Sequence, residues 1–312
     1  MMPGVIAGHY RRDEAEIDVP ALCERAGIAF ARDTLVRIDG DAQRVITENG
    51  SFDYDWLSLN TGSQPWLPAQ MLGLHLGVKP FSAFLDALRQ LASARRIAVV
   101  GGGAAAIEVL LALRHRLGAQ HAFTLVCADE ALLLRYPQGV IDRVLKTLHA
   151  GEVNVVLNAR VDAASETSLT LHDGSAIACD ASVWATGARP HAYVSKSNLA
   201  SAADGFIAVN SAQKSVSHAN VFAVGDCATI ELYALPKAGV VPVRQGPWLR
   251  AQLLNAIASE PVVSFENKRT ALALLALGSK HCVGHKGNFI FHGAWAWKMK
   301  DYIDRRFMAK YQ

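Results

Sequence analysis

The apolar positions of the chain fall into runs of period two and runs of helical period, and their order carries most of the information. Four apolar residues, Ile97-Ala98-Val99-Val100, enter three glycines, Gly101-Gly102-Gly103, and a helical spacing follows at once through Val109, Leu110, Leu113 and Leu117. A strand, a tight turn and a helix in this order open a dinucleotide-binding βαβ unit, read here as Gly-x-Gly-x-x-Ala. Gly101 permits the sharp turn, Gly103 leaves the backbone open to a pyrophosphate, and Ala106 lets helix and strand pack closely. Phosphate is favoured at such a place by free N–H groups and by the helix dipole. The plain alternative is a glycine-rich βα turn with no ligand.

The same patterning predicts the rest. Asp18-Val19-Pro20 starts a helix. Leu35–Asp39 and Arg44–Glu48 alternate as strands, with Asn49-Gly50 as a turn, and Asp55–Leu59 is a strand ending at Asn60-Thr61-Gly62-Ser63-Gln64-Pro65. Residues 66–80, rich in Gly and Pro, read as a connection into a new domain. Phe81–Ala92 is a helix, Ala122–Val126 a second strand, Val140–His149 a helix and Val153–Leu157 a third strand, which is the rhythm of a parallel sheet. Short strands between 160 and 178 lead to Ala181–Ala185 and Thr186-Gly187-Ala188-Arg189-Pro190, an echo of the earlier Thr61-Gly62 ending. Phe206–Val209 and Val221–Val224 are strands, the second entering Gly225-Asp226, and Pro247–Ala258 is a helix. The echo points to two domains of one plan.

Composition narrows the classes. With 312 residues, 51% hydrophobic and 19% charged, the chain is long enough for two cored domains. A net charge of +3 gives no case for nucleic acid. The longest apolar run, from Ala271 to Leu277, is far below a membrane span, and the start lacks the features of a signal peptide, so the cytoplasm is the default expectation. Cys23, Cys127, Cys179, Cys227 and Cys282 are scattered and form no Cys-x-x-Cys, against a disulfide framework, a zinc site or a local redox pair. No metal ligands and no catalytic nucleophile are expected. The tail is basic and aromatic: Lys298, Lys300, Arg305, Arg306 and Lys310 are interleaved with Trp295, Trp297 and Phe307. It reads either as an amphipathic helix on an anionic membrane or as a closing helix packed on the domain that holds Gly225-Asp226.

The order of two strand–Thr-Gly endings, one central glycine fingerprint and a late Val221-Phe222-Ala223-Val224-Gly225-Asp226 resembles the pyridine nucleotide-disulfide oxidoreductase family. Within it, the chain is similar to type II NADH dehydrogenase-like proteins associated with selenide, water dikinase. Met2-Pro3-Gly4 through Tyr10, Leu235-Pro236-Lys237-Ala238-Gly239, Val243-Arg244-Gln245-Gly246-Pro247 and Lys300-Asp301-Tyr302 carry that closer likeness. The resemblance implies an α/β fold of two Rossmann-like dinucleotide-binding domains, an NAD(P)H-binding domain at 79–199 inserted into an FAD-type domain at 1–78 and 200–265, with a C-terminal segment at 266–312. It implies FAD and NAD(P)H as cofactors. Gly101, Gly102, Gly103 and Ala106 match the nicotinamide-nucleotide fingerprint, and Glu108 matches an acid near the nicotinamide, or is otherwise a first-turn charge. Gly225 and Asp226 match the flavin motif; Thr61, Gly62, Thr186, Gly187, Lys237 and Gln245 fall where cofactor contacts gather.

Two departures stand out. The second strand ends at Cys127, so Asp129 or Glu130 is the candidate for the ribose hydroxyls, and with no arginine beside the strand end NADH is favoured over NADPH. The family also carries a strand, a first Gly-x-Gly-x-x-Gly and a helix before the segment that begins here at Met1. The sequence therefore predicts an FAD domain incomplete at its N-terminus: a truncated chain, a misplaced start, or a piece completed by another polypeptide. The expected function is an FAD-dependent NAD(P)H oxidoreductase passing hydride to flavin and on to a quinone or another small acceptor. The rival is a non-catalytic nucleotide-binding partner protein. Peripheral contact with the inner face of a membrane and a homo-oligomer are the partner expectations.

Overall fold

A computed structural model describes residues 1–233, 235–265 and 272–312. The expected start of the C-terminal segment at 266 and the first residue of the apolar run at Ala271 lie outside the described residues. The chain divides into two compact units.

The first unit gathers residues 1–30, 65–187 and 272–312. At its centre a parallel sheet runs in the order Leu74–Gly77, Ala181–Trp184, Arg96–Val100, Ala122–Val126, Asn154–Val156. Its inner strands are mostly apolar because both faces are covered, as parallel sheets require. Ala181, Val183 and Trp184 are completely buried. The edge strand Leu74–Gly77 lies where the sequence reads a connection, and pairs in register with Ala181–Trp184.

Helix Ala104–Leu117 buries Ala106, Ile107, Val109, Leu110, Leu111, Ala112 and Leu113, so it is apolar nearly all round. A helix of that kind needs cover on more than one side. The sheet covers one side; helix Met2–Ala7 and strand Ala273–Ala276 lie against others. Helix Gln138–Ala150 instead shows one buried stripe, Val140, Val144 and Leu148. The opposite face of the sheet, with Ala98, Val100, Val126 and Trp184, packs on the antiparallel strands Val161–Ala164 and Ser168–Leu171.

The tail forms an antiparallel sheet, Ala273–Ala276, Cys282–Lys286 and Phe289–Gly293, followed by helix Ala294–Met308. Ala296 and Trp297 on that helix pack with Val5, Tyr10, Cys282 and Phe291. The expectation that this aromatic face closes the flavin-type domain is therefore corrected. The tail completes the core of the glycine-strand unit, as does Met2–Ala7, which the sequence reading grouped with the other domain.

The second unit gathers residues 31–64 and 188–265. It holds the antiparallel strands Leu35–Asp39, Arg44–Thr47 and Ser51–Asp53, and two parallel pairs: Leu57–Leu59 with Val221–Ala223, and Ile207–Val209 with Ala228–Ile230. Its helix runs Val240–Ile257 and so begins well before the expected Pro247. Proline removes one in-helix hydrogen bond, freeing the carbonyl four residues back. That carbonyl belongs to Val243, which with Gly246 and Pro247 lies on the exposed face, where it is open to solvent. The buried stripe is Val241, Gln245, Leu249 and Gln252.

Candidate functional site

The three glycines at the end of strand Arg96–Val100 are there for different reasons. Gly101 has φ +138°, and a Cβ on it would stand 2.5 Å from the Ala185 carbonyl oxygen. A Cβ on Gly102 would lie 2.2 Å from Cys127 Sγ. Both positions are fixed by the protein's own packing. Gly103 differs: its φ of −87° suits any L-residue, and a Cβ there would meet nothing within 4 Å. Nothing inside the chain requires glycine at 103, so the open space in front of it fits a ligand that approaches the backbone. Helix Ala104–Leu117 starts at that point with no side-chain cap. Its first-turn N–H groups have no in-helix acceptor, as at any helix start, and the dipole favours an anion there. Ala106 is completely buried, the close helix–strand contact expected of it.

Other predicted residues of this unit separate into two groups. Asp129 is exposed beyond the end of the second strand, and its carbonyl accepts the Asn158 N–H at 3.0 Å. Thr186 donates its hydroxyl to the Trp66 carbonyl at 2.6 Å, while a Cβ on the neighbouring Gly187 would meet nothing. Glu108 is elsewhere. It sits in the second turn rather than the first, partly buried, with Oε1 accepting the Ala276 N–H at 2.8 Å. Burial raises its carboxyl pKa, against the pull of Lys300. Lys300 is itself drawn down by burial, but Asp304 and Glu108 outweigh this and raise it; its Nζ donates to Asp304 at 2.6 Å. Glu108 thus anchors the tail to the helix in an internal ionic cluster, a role that no local pattern around it signals.

In the second unit, Gly225 has φ +68°, and a Cβ there would come 2.5 Å from Asn60 Oδ1, so the turn after strand Val221–Ala223 requires glycine. The Gly225 N–H donates to Oε1 of Gln245 at 2.8 Å, and Gln245 is buried. Gln245 therefore holds the turn that presents Asp226. The Asp226 carboxylate accepts the Ser63 hydroxyl at 3.0 Å. Thr61 Oγ1 and the Tyr193 hydroxyl lie 2.7 Å apart, and Gly62 has φ +71° with open space beside it. Thr61, Gly62, Gly225, Asp226 and Gln245 are thereby brought to one end of the parallel pair, where ligands of α/β sheets bind. Ser63 was missed in the sequence, although its place next to Thr61-Gly62 could have marked it.

A cavity of about 40 Å³ lies beside this turn, lined among others by Asp204, Gly225, Thr229, Lys237 and Gln245. Lys237 Nζ donates to the Ala228 carbonyl at 2.5 Å and to Thr229 Oγ1 at 3.0 Å, and lies 3.9 Å above the Phe206 ring. Burial lowers its pKa, partly offset by Asp204, Asp226 and Cys227. These residues suit the sugar-chain end of a flavin nucleotide: a carboxylate for hydroxyl groups, open glycine backbone and a cation nearby.

Two of the cysteines are held in the core. Cys179 packs with Trp184 and Cys282 with Trp297, and burial pushes their thiols up to about 11 and about 12. Both are protonated at neutral pH, so neither is a ready nucleophile. No helix among the described residues is long and apolar enough to cross a membrane.

Comparison with known proteins gives the family and the fold. Residues 6–246 match the family described as pyridine nucleotide-disulphide oxidoreductase. The chain is similar to the human (Homo sapiens) Ferroptosis suppressor protein 1, 26% identical over 278 residues covering 83% of this chain and 72% of that protein. It is 29% identical over 232 residues to the Nitric oxide reductase FlRd-NAD(+) reductase of Vibrio vulnificus (strain CMCP6), covering 69% of this chain and 59% of that one. Its fold is that of the sulfide:quinone oxidoreductase of Aquifex aeolicus, with a TM-score of 0.80 at 17% identity over 99% of this chain and 81% of that one.

Proposed function

The chain belongs to the pyridine nucleotide-disulphide oxidoreductase family, and from that premise we propose that it is a flavin-dependent NADH oxidoreductase that reduces a quinone or another small acceptor. The observation that carries this reading is Gly103, a glycine with no internal reason to be one, at the uncapped start of a buried helix. The coenzyme's pyrophosphate rests there on backbone N–H groups, and Asp129 holds the adenosine ribose hydroxyls. The absence of arginine next to Cys127 in sequence favours NADH over NADPH, in line with the NAD(+) in the name of the Vibrio relative. Asp226 takes the flavin's sugar-chain hydroxyls, Gln245 keeps that turn in place, and Lys237 offers a cation and proton donor beside it. FAD, when bound, accepts hydride from the nicotinamide and passes the electrons on, chemistry that belongs to the cofactor and not to a side chain. Quinone as acceptor is supported by the sulfide:quinone oxidoreductase fold.

Peripheral attachment to a membrane belongs to the same reading. Trp295, Tyr302, Ile303 and Phe289 are exposed in the tail, with Lys286, Lys298, Arg306 and Lys310 also exposed. Aromatic side chains flanked by cations suit an anionic lipid surface, each cation contributing about 1 kcal/mol near it. Co-sedimentation with phosphatidylserine vesicles at low salt tests this; a chain left wholly in the supernatant removes the attachment. The activity is tested by NADH oxidation with ferricyanide or a soluble quinone, with and without added FAD. Binding of NADH with no turnover under any of these conditions would leave the rival, a non-catalytic nucleotide-binding partner.

A further inference from the structure

Asn49-Gly50 is the one Asn-Gly pair in the sequence, and it sits in the turn between strands Arg44–Thr47 and Ser51–Asp53. A tight two-residue hairpin loop of this composition would hold both residues at positive φ. Neither lies in that region, so the pair is not locked as such a turn. A Cβ on Gly50 would meet nothing within 4 Å, and neither backbone angle nor packing requires glycine there. Both residues are exposed. The Gly50 carbonyl accepts the Thr47 N–H at 2.9 Å, while the Gly50 N–H has no acceptor among the described residues. The Asn49 side chain is tied to Asp33: its Nδ2 donates to Oδ1 at 2.9 Å, and the Asn49 N–H donates to Oδ2 at 3.2 Å. Hydrogen bonds from Thr47, Thr34 and Asn49 hold the Asp33 carboxyl below the ordinary carboxylate range, so it is charged at neutral pH.

We propose that Asn49 is a site of spontaneous deamidation, and that the change turns the Asp33–Asn49 link of this hairpin into a pair of repelling carboxylates. The site is independent of the proposed oxidoreductase activity, and the step needs only water. The Gly50 nitrogen gives its proton to hydroxide and attacks Asn49 Cγ. The N–Cγ bond forms, the Cγ–Nδ2 bond breaks, and ammonia leaves with a proton taken back from water. The resulting five-membered imide adds one water at either carbonyl. Opening at Cγ leaves aspartate at 49; opening at the Asn49 main-chain carbonyl leaves isoaspartate, with the chain routed through the side chain. No atom changes oxidation state. A side chain at 50 would shield the attacking nitrogen and a ladder hydrogen bond would occupy it, and here neither stands in the way. Both products lose the Nδ2–H donor and carry a carboxylate beside Asp33, where like charges at close range repel. Isoaspartate also lengthens the chain between Thr47 and Gly50, whose hydrogen bond closes the turn.

To test this, the purified chain is incubated in mildly alkaline buffer below its melting temperature and then digested with trypsin. The peptide that begins at Val45 also holds Asn60, so its fragments are read for the mass gain of an amide becoming an acid. The gain is expected at Asn49 and not at Asn60, together with labelling by an isoaspartyl methyltransferase. Both signals are expected to be lost in Gly50→Ala over the same period. Alanine fits at this position, since φ lies outside the left-handed region and the space beside it is open. Asn49→Asp reproduces one product and is expected to melt below the wild type at low salt, with the gap narrowing as salt screens the pair. In an Asp33→Ala background the same substitution is expected to leave the melting temperature unmoved. No gain at Asn49, or a gain as fast in Gly50→Ala as in the wild type, overturns the modification. An Asn49→Asp chain that melts with the wild type, or a loss of equal size in the Asp33→Ala background, overturns the repulsion.

Discussion

Replacing Gly103 by valine puts a branched side chain into the space in front of helix Ala104–Leu117 without disturbing the protein behind it. The position has φ −87° and ψ 176°, inside the region open to L-residues, and a Cβ would touch nothing within 4 Å. The folding cost is that of a poorer helix cap, about 1 kcal/mol at most. The cost to the ligand is larger. A pyrophosphate held by backbone N–H groups makes charge-assisted hydrogen bonds of about 1.5–3 kcal/mol each. Losing the equivalent of one weakens NADH by roughly 10- to 150-fold. Titrating NADH fluorescence against wild type and Gly103→Val measures the ratio, with thermal melts run beside it. An affinity within about twofold of wild type, or a melt showing that the variant is grossly destabilised, would falsify the reasoning.

The other predictions concern stability. Gly101→Ala forces a side chain into φ +138° and to 2.5 Å from the Ala185 carbonyl; a loss of about 2 kcal/mol is expected in denaturant titration, and a wild-type midpoint would contradict it. Lys300→Met leaves Glu108 and Asp304 with the Met1 N-terminus as their remaining cation, and about 1–3 kcal/mol should be lost. An unchanged melting temperature would mean that the cluster does not hold the tail. Glu108 has its folded pKa raised by burial, so its contribution is fully present below the unfolded value and fades as pH rises through the folded one. Glu108→Gln should therefore gain on the wild type as pH rises from acid to neutral, read as the difference in Tm; a difference constant with pH sinks the assignment.

What the sequence revealed and what it hid follow from the distance over which each signal acts. The glycine strand and its helix were legible because strand period, turn and helix period are all local. The parallel order could be inferred from the βαβ rhythm. Strand Leu74–Gly77 was not, since Gly73, Gly77 and Pro80 make it look like the loop around it, and only pairing with Ala181–Trp184 defines it. The start of helix Val240–Ile257 was masked by Gly246-Pro247, whose exposed placement makes the proline tolerable. Among site residues, Gly101, Gly103, Gly225 and Asp226 stand in recognisable motifs. The bond of Glu108 to the Ala276 N–H was hidden because that partner lies 168 residues away. The same holds for Asp204, which reaches Thr229 across 25 residues and leaves no trace in either local pattern.

Under the proposed function, this chain takes electrons from NADH through a bound flavin. The direct measurement is anaerobic: incubate the purified chain with FAD, remove the unbound cofactor, add NADH and follow the flavin's visible absorption band. Flavin is expected to be retained, its band to bleach on adding NADH, and the band to return on adding a soluble quinone. Failure to retain flavin, or a retained band indifferent to NADH, would contradict the proposed function.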